Sequence, residues 1–151
     1  MKRLLLSLTL ILLVFTGNAQ DKKFHIFLCF GQSNMEGAAR IEPEDTLNIS
    51  ERFRMMAAVD DPSRARVKGE WYRAVPPLCR EKTGLTPVDY FGRTLLEVLP
   101  EDHTVGVINV SIGGCRIEAF MKDSIGTYAK TAPQWMIPAL KAYDNDPYKW
   151  L

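Results

Sequence analysis

Ser33 stands just past an abrupt change in the chain. The apolar run Phe24 to Phe30 stops at Gly31, and the small polar residues Gln32, Ser33 and Asn34 follow. A serine hydroxyl becomes an acyl-transfer nucleophile when a strand end presents it beside backbone N–H groups that favour developing negative charge. If a helix begins at this point, the N–H groups of Ser33 and Asn34 are left unpaired and point outward. A second strand end of the same character occurs at Ser111-Ile112-Gly113-Gly114. Its glycines fit either a tight turn that needs positive φ or a close backbone approach to a substrate, with a glycine N–H aimed at an oxyanion. Ser33 is therefore the candidate nucleophile, and Gln32 and Asn34, which flank it, are the candidates for contact with substrate.

These residues need elements that bring them together. Phe24 to Phe30 is short, apolar and aromatic-rich, which predicts a strand buried on both faces of a parallel sheet. Thr86, Pro87 and Asp89 form a helix start with a capping box, and Val88, Phe91, Leu95 and Val98 repeat at helical spacing until Pro100 ends the element. Val105 to Val110 is a second apolar strand with β-branched residues. Strand, helix and strand in this order predict a βαβ crossover. Such a sheet delivers Ser33 and the Gly113-Gly114 pair to its C-terminal edge, where ligands of open α/β sheets bind. The chain's two histidines, His25 and His103, fall at the start of the first strand and in the link entering the second. Both belong at the opposite edge, roughly 15–20 Å from Ser33.

Other stretches are less definite. Ala38 to Asn48 reads as a solvated loop, Glu51 to Val59 as strand or helix, and Trp71 to Pro77 as a packed loop whose aromatics could line a sugar site. A helix is predicted over 131–142, capped by Thr131, with Pro138 inside it. Glu36, Arg40, Arg116 and Glu118 lie near the two strand ends and read as solvated loop charges.

The 151 residues are enough for one domain with a core. Residues 1–19, with Lys2 and Arg3 ahead of the apolar run Leu4 to Phe15 and small residues before Gln20, predict a signal peptide. The run is too short for a membrane anchor. Its removal takes two of the 19 basic residues and none of the 18 acidic ones, which leaves a nearly neutral chain and no footprint for nucleic acid. The prediction is thus a secreted or periplasmic domain over 20–151, with no membrane association after cleavage. Cys29, Cys79 and Cys115 show no zinc spacing; Cys29 reads as a buried strand residue, and a Cys79–Cys115 bridge is a possible pairing.

Gly31-Gln32-Ser33-Asn34-Met35 resembles the first block of the SGNH hydrolase superfamily, in the form found in sialate O-acetylesterases and acetylxylan esterases. The resemblance extends to Trp71 to Leu78, Gly84 to Leu95 and Gly106 to Gly114. It implies a three-layer, flavodoxin-like parallel sheet with flanking helices. It also implies a serine carboxylic-ester hydrolase that removes O-acetyl groups from a carbohydrate, with no metal or organic cofactor. Ser33 then falls on the family nucleophile and contributes its own N–H to the oxyanion hole. The second block's glycine donor falls on Gly113 or Gly114, with Gly114 favoured. A further strand bearing Gln-Gly-Glu and an Asp-x-x-His base would follow in the family and are not found here, so the chain is expected to be an N-terminal part of such an esterase with weak activity or none of its own. Two alternatives stand beside this: a glycan-binding or interaction domain that keeps the crevice without the base, and a gene fragment.

Overall fold

The computed structural model describes residues 21–121 and 130–143, so the predicted leader lies outside the described residues. Phe24–Gly31 forms β1, and Ser33–Glu36 a single helical turn, α1. Short strands β2 (Phe53–Met56) and β3 (Trp71–Arg73) follow, then helix α2 (Pro87–Val98), strand β4 (Thr104–Ser111) and helix α3 (Ile137–Ala142). The sheet order is β1-β4-β2-β3; β4 pairs parallel with β1 and with β2, while β3 runs antiparallel to β2. This is an open, mostly parallel α/β sheet.

β4 is the central strand, and its alternation builds both layers. Val105 and Val107 face one way, with Phe53, Met55, Val88 and Leu96; Ile108 and Val110 face the other, with Phe120, Met136, Leu140 and Tyr143. One residue departs from the apolar pattern on purpose of space: a Cβ at Gly106 would lie 2.5 Å from the Phe24 ring and 2.8 Å from that of Trp71. No described helix is long and apolar enough to cross a membrane.

The start of α2 is as predicted. Thr86 Oγ1 accepts from the Val88 N–H at 3.0 Å, and Asp89 Oδ2 accepts from the Thr86 N–H at 2.8 Å. Its buried face, however, is turned from the predicted one. Val88, Gly92 and Leu96 are buried, whereas Phe91 is 42% and Val98 78% exposed. The reason is Gly92, which lets the fully buried Phe53 ring press against the helix backbone; a Cβ there would lie 2.0 Å from Phe53 Cε2.

Several loop expectations are corrected. Trp71 to Arg73 is an edge strand, and Trp71 packs edge-on against Phe24 at 4.9 Å, far from the Ser33 end of β1. The Pro76-Pro77 stretch after it is pinned by Arg66, whose guanidinium donates to the Pro77 carbonyl at 2.7 Å. Asp45, in the supposedly solvated loop, is buried, closes a capping box with Glu42 and accepts from the Tyr90 hydroxyl at 2.6 Å. Glu51 to Val59 contains strand β2. Thr131 does not cap α3, which begins at Ile137 with Pro138 in its first turn, where a missing N–H costs nothing.

Gly92→Ala is expected to destabilise the protein, the reverse of the usual helix substitution. Overpacking against Phe53, about 1–3 kcal/mol, exceeds the roughly 1 kcal/mol gained in helix propensity. Chemical denaturation of the two proteins checks the sign.

Candidate active site

The β1–β4 register ends with Gly31 opposite Ser111. The Gly31 carbonyl then accepts from the Ile112 N–H at 3.1 Å and from the Cys115 thiol at 3.5 Å, so the loops leaving the two strands run side by side. Gly31 itself is required because a Cβ would lie 2.8 Å from Met35 Cβ, in the turn that follows. That turn closes when the Met35 and Glu36 N–H groups donate to the Gln32 carbonyl, at 3.0 and 2.9 Å. It is held down on its far side, where the Gly84 N–H donates to Gly37 O and the Leu85 N–H to Ala39 O.

Ser33 sits in this turn, half-buried, between exposed Gln32 and Asn34. Its hydroxyl donates to Gln32 Oε1 at 2.6 Å, and its backbone N–H donates to the same oxygen at 2.8 Å. The expectation that the Ser33 N–H is unpaired is therefore corrected: the Gln32 side chain caps it. No described residue accepts from the Asn34 N–H.

On the β4 side the two glycines differ. The Gly113 N–H donates to Glu36 Oε1 at 2.9 Å and is thereby engaged. Gly114 is exposed, has φ +70°, and its N–H meets no acceptor among the described residues. Of the two, Gly114 offers the open amide.

Glu36, read from the sequence as a solvated charge, is instead the fastening of the site. Its side chain is 18% exposed and pairs with Arg80, which is 25% exposed. Arg80 Nη1 also donates to the Ser111 carbonyl at 2.7 Å and to the Tyr143 hydroxyl at 3.3 Å. Burial opposes the Arg80 charge, but Tyr143, Cys79 and Glu36 around it hold its pKa above the ordinary value. Burial likewise pushes up the Cys79 thiol and the Tyr143 phenol, so both are neutral at physiological pH. Opposite them Asn109, 1% exposed, donates to the Met35 carbonyl at 2.9 Å and accepts from the Ser111 hydroxyl at 2.6 Å. Thus α1 is tied to β4 twice, through Asn109 and through Glu36. Neither Arg80 nor Asn109 stood out in the sequence; the one signal for Asn109 is a polar residue inside an apolar strand.

The three cysteines are free, and the supposed Cys79–Cys115 pair does not form. The Cys79 thiol donates to the Ser111 carbonyl at 3.5 Å, and the Cys115 thiol to Gly31 O. Burial raises the Cys29 pKa to about 11, in keeping with an inert strand residue. Arg40, Arg116 and Glu118 are exposed, as expected. His25 and His103 hydrogen-bond to each other across the opposite edge, His25 Nε2 to His103 Nδ1 at 2.8 Å. His25 lies six residues before Gly31, about 20 Å along β1, so neither imidazole reaches Ser33.

An open, mostly parallel sheet with polar loops gathered at its C-terminal edge places the chain among α/β folds that bind ligands there. A family model described as a carbohydrate esterase, sialic acid-specific acetylesterase, matches residues 23–145, and the chain belongs to that family. Among solved structures it is similar to a carbohydrate acetylesterase from Xanthomonas citri, with 22% identity and a TM-score of 0.52 over 84% of this chain and 29% of that one. It is also similar to an Arabidopsis thaliana protein, with 18% identity and a TM-score of 0.50 over 82% of this chain and 50% of that one. At these identities the likeness concerns the fold, and the chain spans half or less of either neighbour.

Arg80→Met should cost about 2–3 kcal/mol, because it strips a partly buried carboxylate of its cation and removes the charged donor to the Ser111 carbonyl and the Tyr143 hydroxyl. Glu36→Gln should cost less, since a glutamine oxygen still accepts from Gly113 and Arg80. Denaturation midpoints of both variants decide the order.

Proposed function

We propose that the chain carries the nucleophile and the oxyanion-binding half of a carbohydrate O-acetylesterase. The observation that carries this reading is the juxtaposition of Ser33, at the exit of β1, with the open Gly114 amide, at the exit of the strand paired to it. In the reaction Ser33 Oγ attacks the acetyl carbonyl, a base takes its proton, and the Gly114 N–H stabilises the tetrahedral oxyanion. The Ser33 N–H joins once the carbonyl oxygen replaces Gln32 Oε1 as its acceptor. Collapse expels the sugar hydroxyl, and water then releases acetate from Ser33. Asn34 flanks the nucleophile and lines an open cleft of about 450 Å³ with Ala38 and Leu85, a place for the glycan beyond the acetyl group. Acetylated xylan and sialic acids are the substrate classes this reading covers.

Among the described residues the Ser33 hydroxyl hydrogen-bonds only the amide oxygen of Gln32, which is not a base, and both histidines lie at the far edge. The described residues therefore supply binding and oxyanion stabilisation with no general base in contact with Ser33. Export by the 1–19 leader fits a glycan substrate outside the cytoplasm. The second reading, a glycan-binding domain that keeps the crevice without turnover, is favoured by the same placement of both histidines at the far edge.

The full chain is expected to hydrolyse 4-nitrophenyl acetate within a few-fold of its Ser33→Ala variant, because a serine without a base retains little of a triad's rate. Fast turnover abolished by Ser33→Ala would overturn the missing-base reading. An activated organophosphate should nonetheless label Ser33 on long incubation, and labelling elsewhere would remove it as the nucleophile. Expression with the leader in a secreting host should give protein starting at or near Gln20; intact Met1 on the exported material would refute cleavage.

A further inference from the structure

Trp135 packs beside Gly114 of the candidate site. A Cβ built on Gly114 would lie 3.1 Å from Trp135 Cη2 and 3.5 Å from Cζ2. The indole is 64% exposed, yet the residue after it, Met136, is 1% exposed in the core. The Met136 N–H donates to Pro133 O at 2.9 Å, and Met136 O accepts from the Leu140 N–H at 3.1 Å. A large flat ring is thus held out to solvent on a turn anchored from beneath, which gains nothing for the core.

The ring borders a cleft of about 620 Å³ in which apolar Val59, Pro138 and Ala139 alternate with the charged Asp60, Lys68, Arg80, Glu81 and Lys141. Asp60 Oδ1 accepts from the Lys68 N–H, Lys68 Nζ donates to Ala142 O, and Arg80 is committed to Glu36 and Ser111. The side chains of Glu81 and Lys141 have no hydrogen-bond or ion-pair partner among the described residues and are open to a ligand. A flat indole in a mixed lining of apolar and charged groups matches a pyranose, which has an apolar C–H face and a rim of hydroxyls.

We propose that this cleft is a sugar subsite, in which Trp135 stacks on the C–H face of a pyranose ring while Glu81 and Lys141 hydrogen-bond its hydroxyls. The inference rests on the acetylesterase reading for its purpose: the Trp135–Gly114 contact sets the bound ring beside the amide that faces the acetyl oxygen. Sugar binding itself does not require Ser33. The two charges left open are of opposite sign, so the subsite accepts a neutral pentopyranose and an acidic sugar alike.

The test is a titration of the full ¹⁵N-labelled chain with xylotetraose and, separately, with N-acetylneuraminic acid, read at the Trp135 indole and Gly114 amide resonances. At least one sugar is expected to shift both saturably and leave the Trp71 indole unmoved; which one does so identifies the glycan class. Trp135→Ala should weaken binding at least about tenfold, a 1.4 kcal/mol loss, and Trp135→Tyr should retain most of it. Because Trp135 is exposed, an otherwise unchanged amide spectrum will show that Trp135→Ala is folded. Sugar binding is read without turnover, so organophosphate labelling that misses Ser33 while sugar binding is intact would count against the esterase reading alone. The subsite is overturned if neither sugar moves Trp135, or if Trp135→Ala binds either sugar as tightly as the parent.

Discussion

The parallel pairing of β1 with β4 is the constraint on which the candidate site depends. Its register runs without a break from Phe24 opposite Thr104 to Gly31 opposite Ser111. A slip of one residue would exchange Val105 and Val107 with Ile108 and Val110 between the two layers, which the packing of both cores forbids. Gly106 adds to this, because Phe24 and Trp71 fill the space where a side chain would be. With the register fixed, the two exits have one relative position, and the Gly31 carbonyl seals it by accepting from Ile112 and Cys115.

The exits are then locked by charge and by amide chemistry. Glu36 reaches from α1 to the Gly113 N–H, and Arg80 reaches from the segment before α2 to Glu36 and the Ser111 carbonyl. This consumes one glycine amide and leaves the next, which is why Gly114 and not Gly113 is the proposed oxyanion donor. The same lock fixes the wall of the cleft beside Trp135. Preorganised donors matter more than their number, since an amide that needs no reorientation at the moment of reaction loses none of its stabilisation.

Much of this was legible from the chain. The apolar run that ends at Gly31, the second run that ends at Ser111, and the Thr86-Pro87-Asp89 cap each carry a local physical signal, and each element lies where that signal puts it. The buried face of α2 is not legible, because helical spacing of large side chains favours Phe91 and Val98, while the position that meets the sheet is Gly92, which has no side chain to count. Strand β3 was hidden by its shortness and by the prolines after it. Glu36 and Arg80 were invisible as a pair, being 44 residues apart in sequence and joined only through the sheet. The capping of the Ser33 N–H by Gln32 is a matter of rotamer and lies beyond sequence reasoning.

The central claim is that Ser33 and the Gly114 amide converge on one reacting oxygen. It is tested most directly by phosphorylating Ser33 with an activated organophosphate, whose tetrahedral phosphorus carries a P=O oxygen that stands in for the oxyanion, and comparing amide spectra before and after. The Gly114 N–H resonance should move strongly downfield while that of Gly113, tied to Glu36, stays near its original position. An unmoved Gly114 amide on a chain fully labelled at Ser33 would contradict the account.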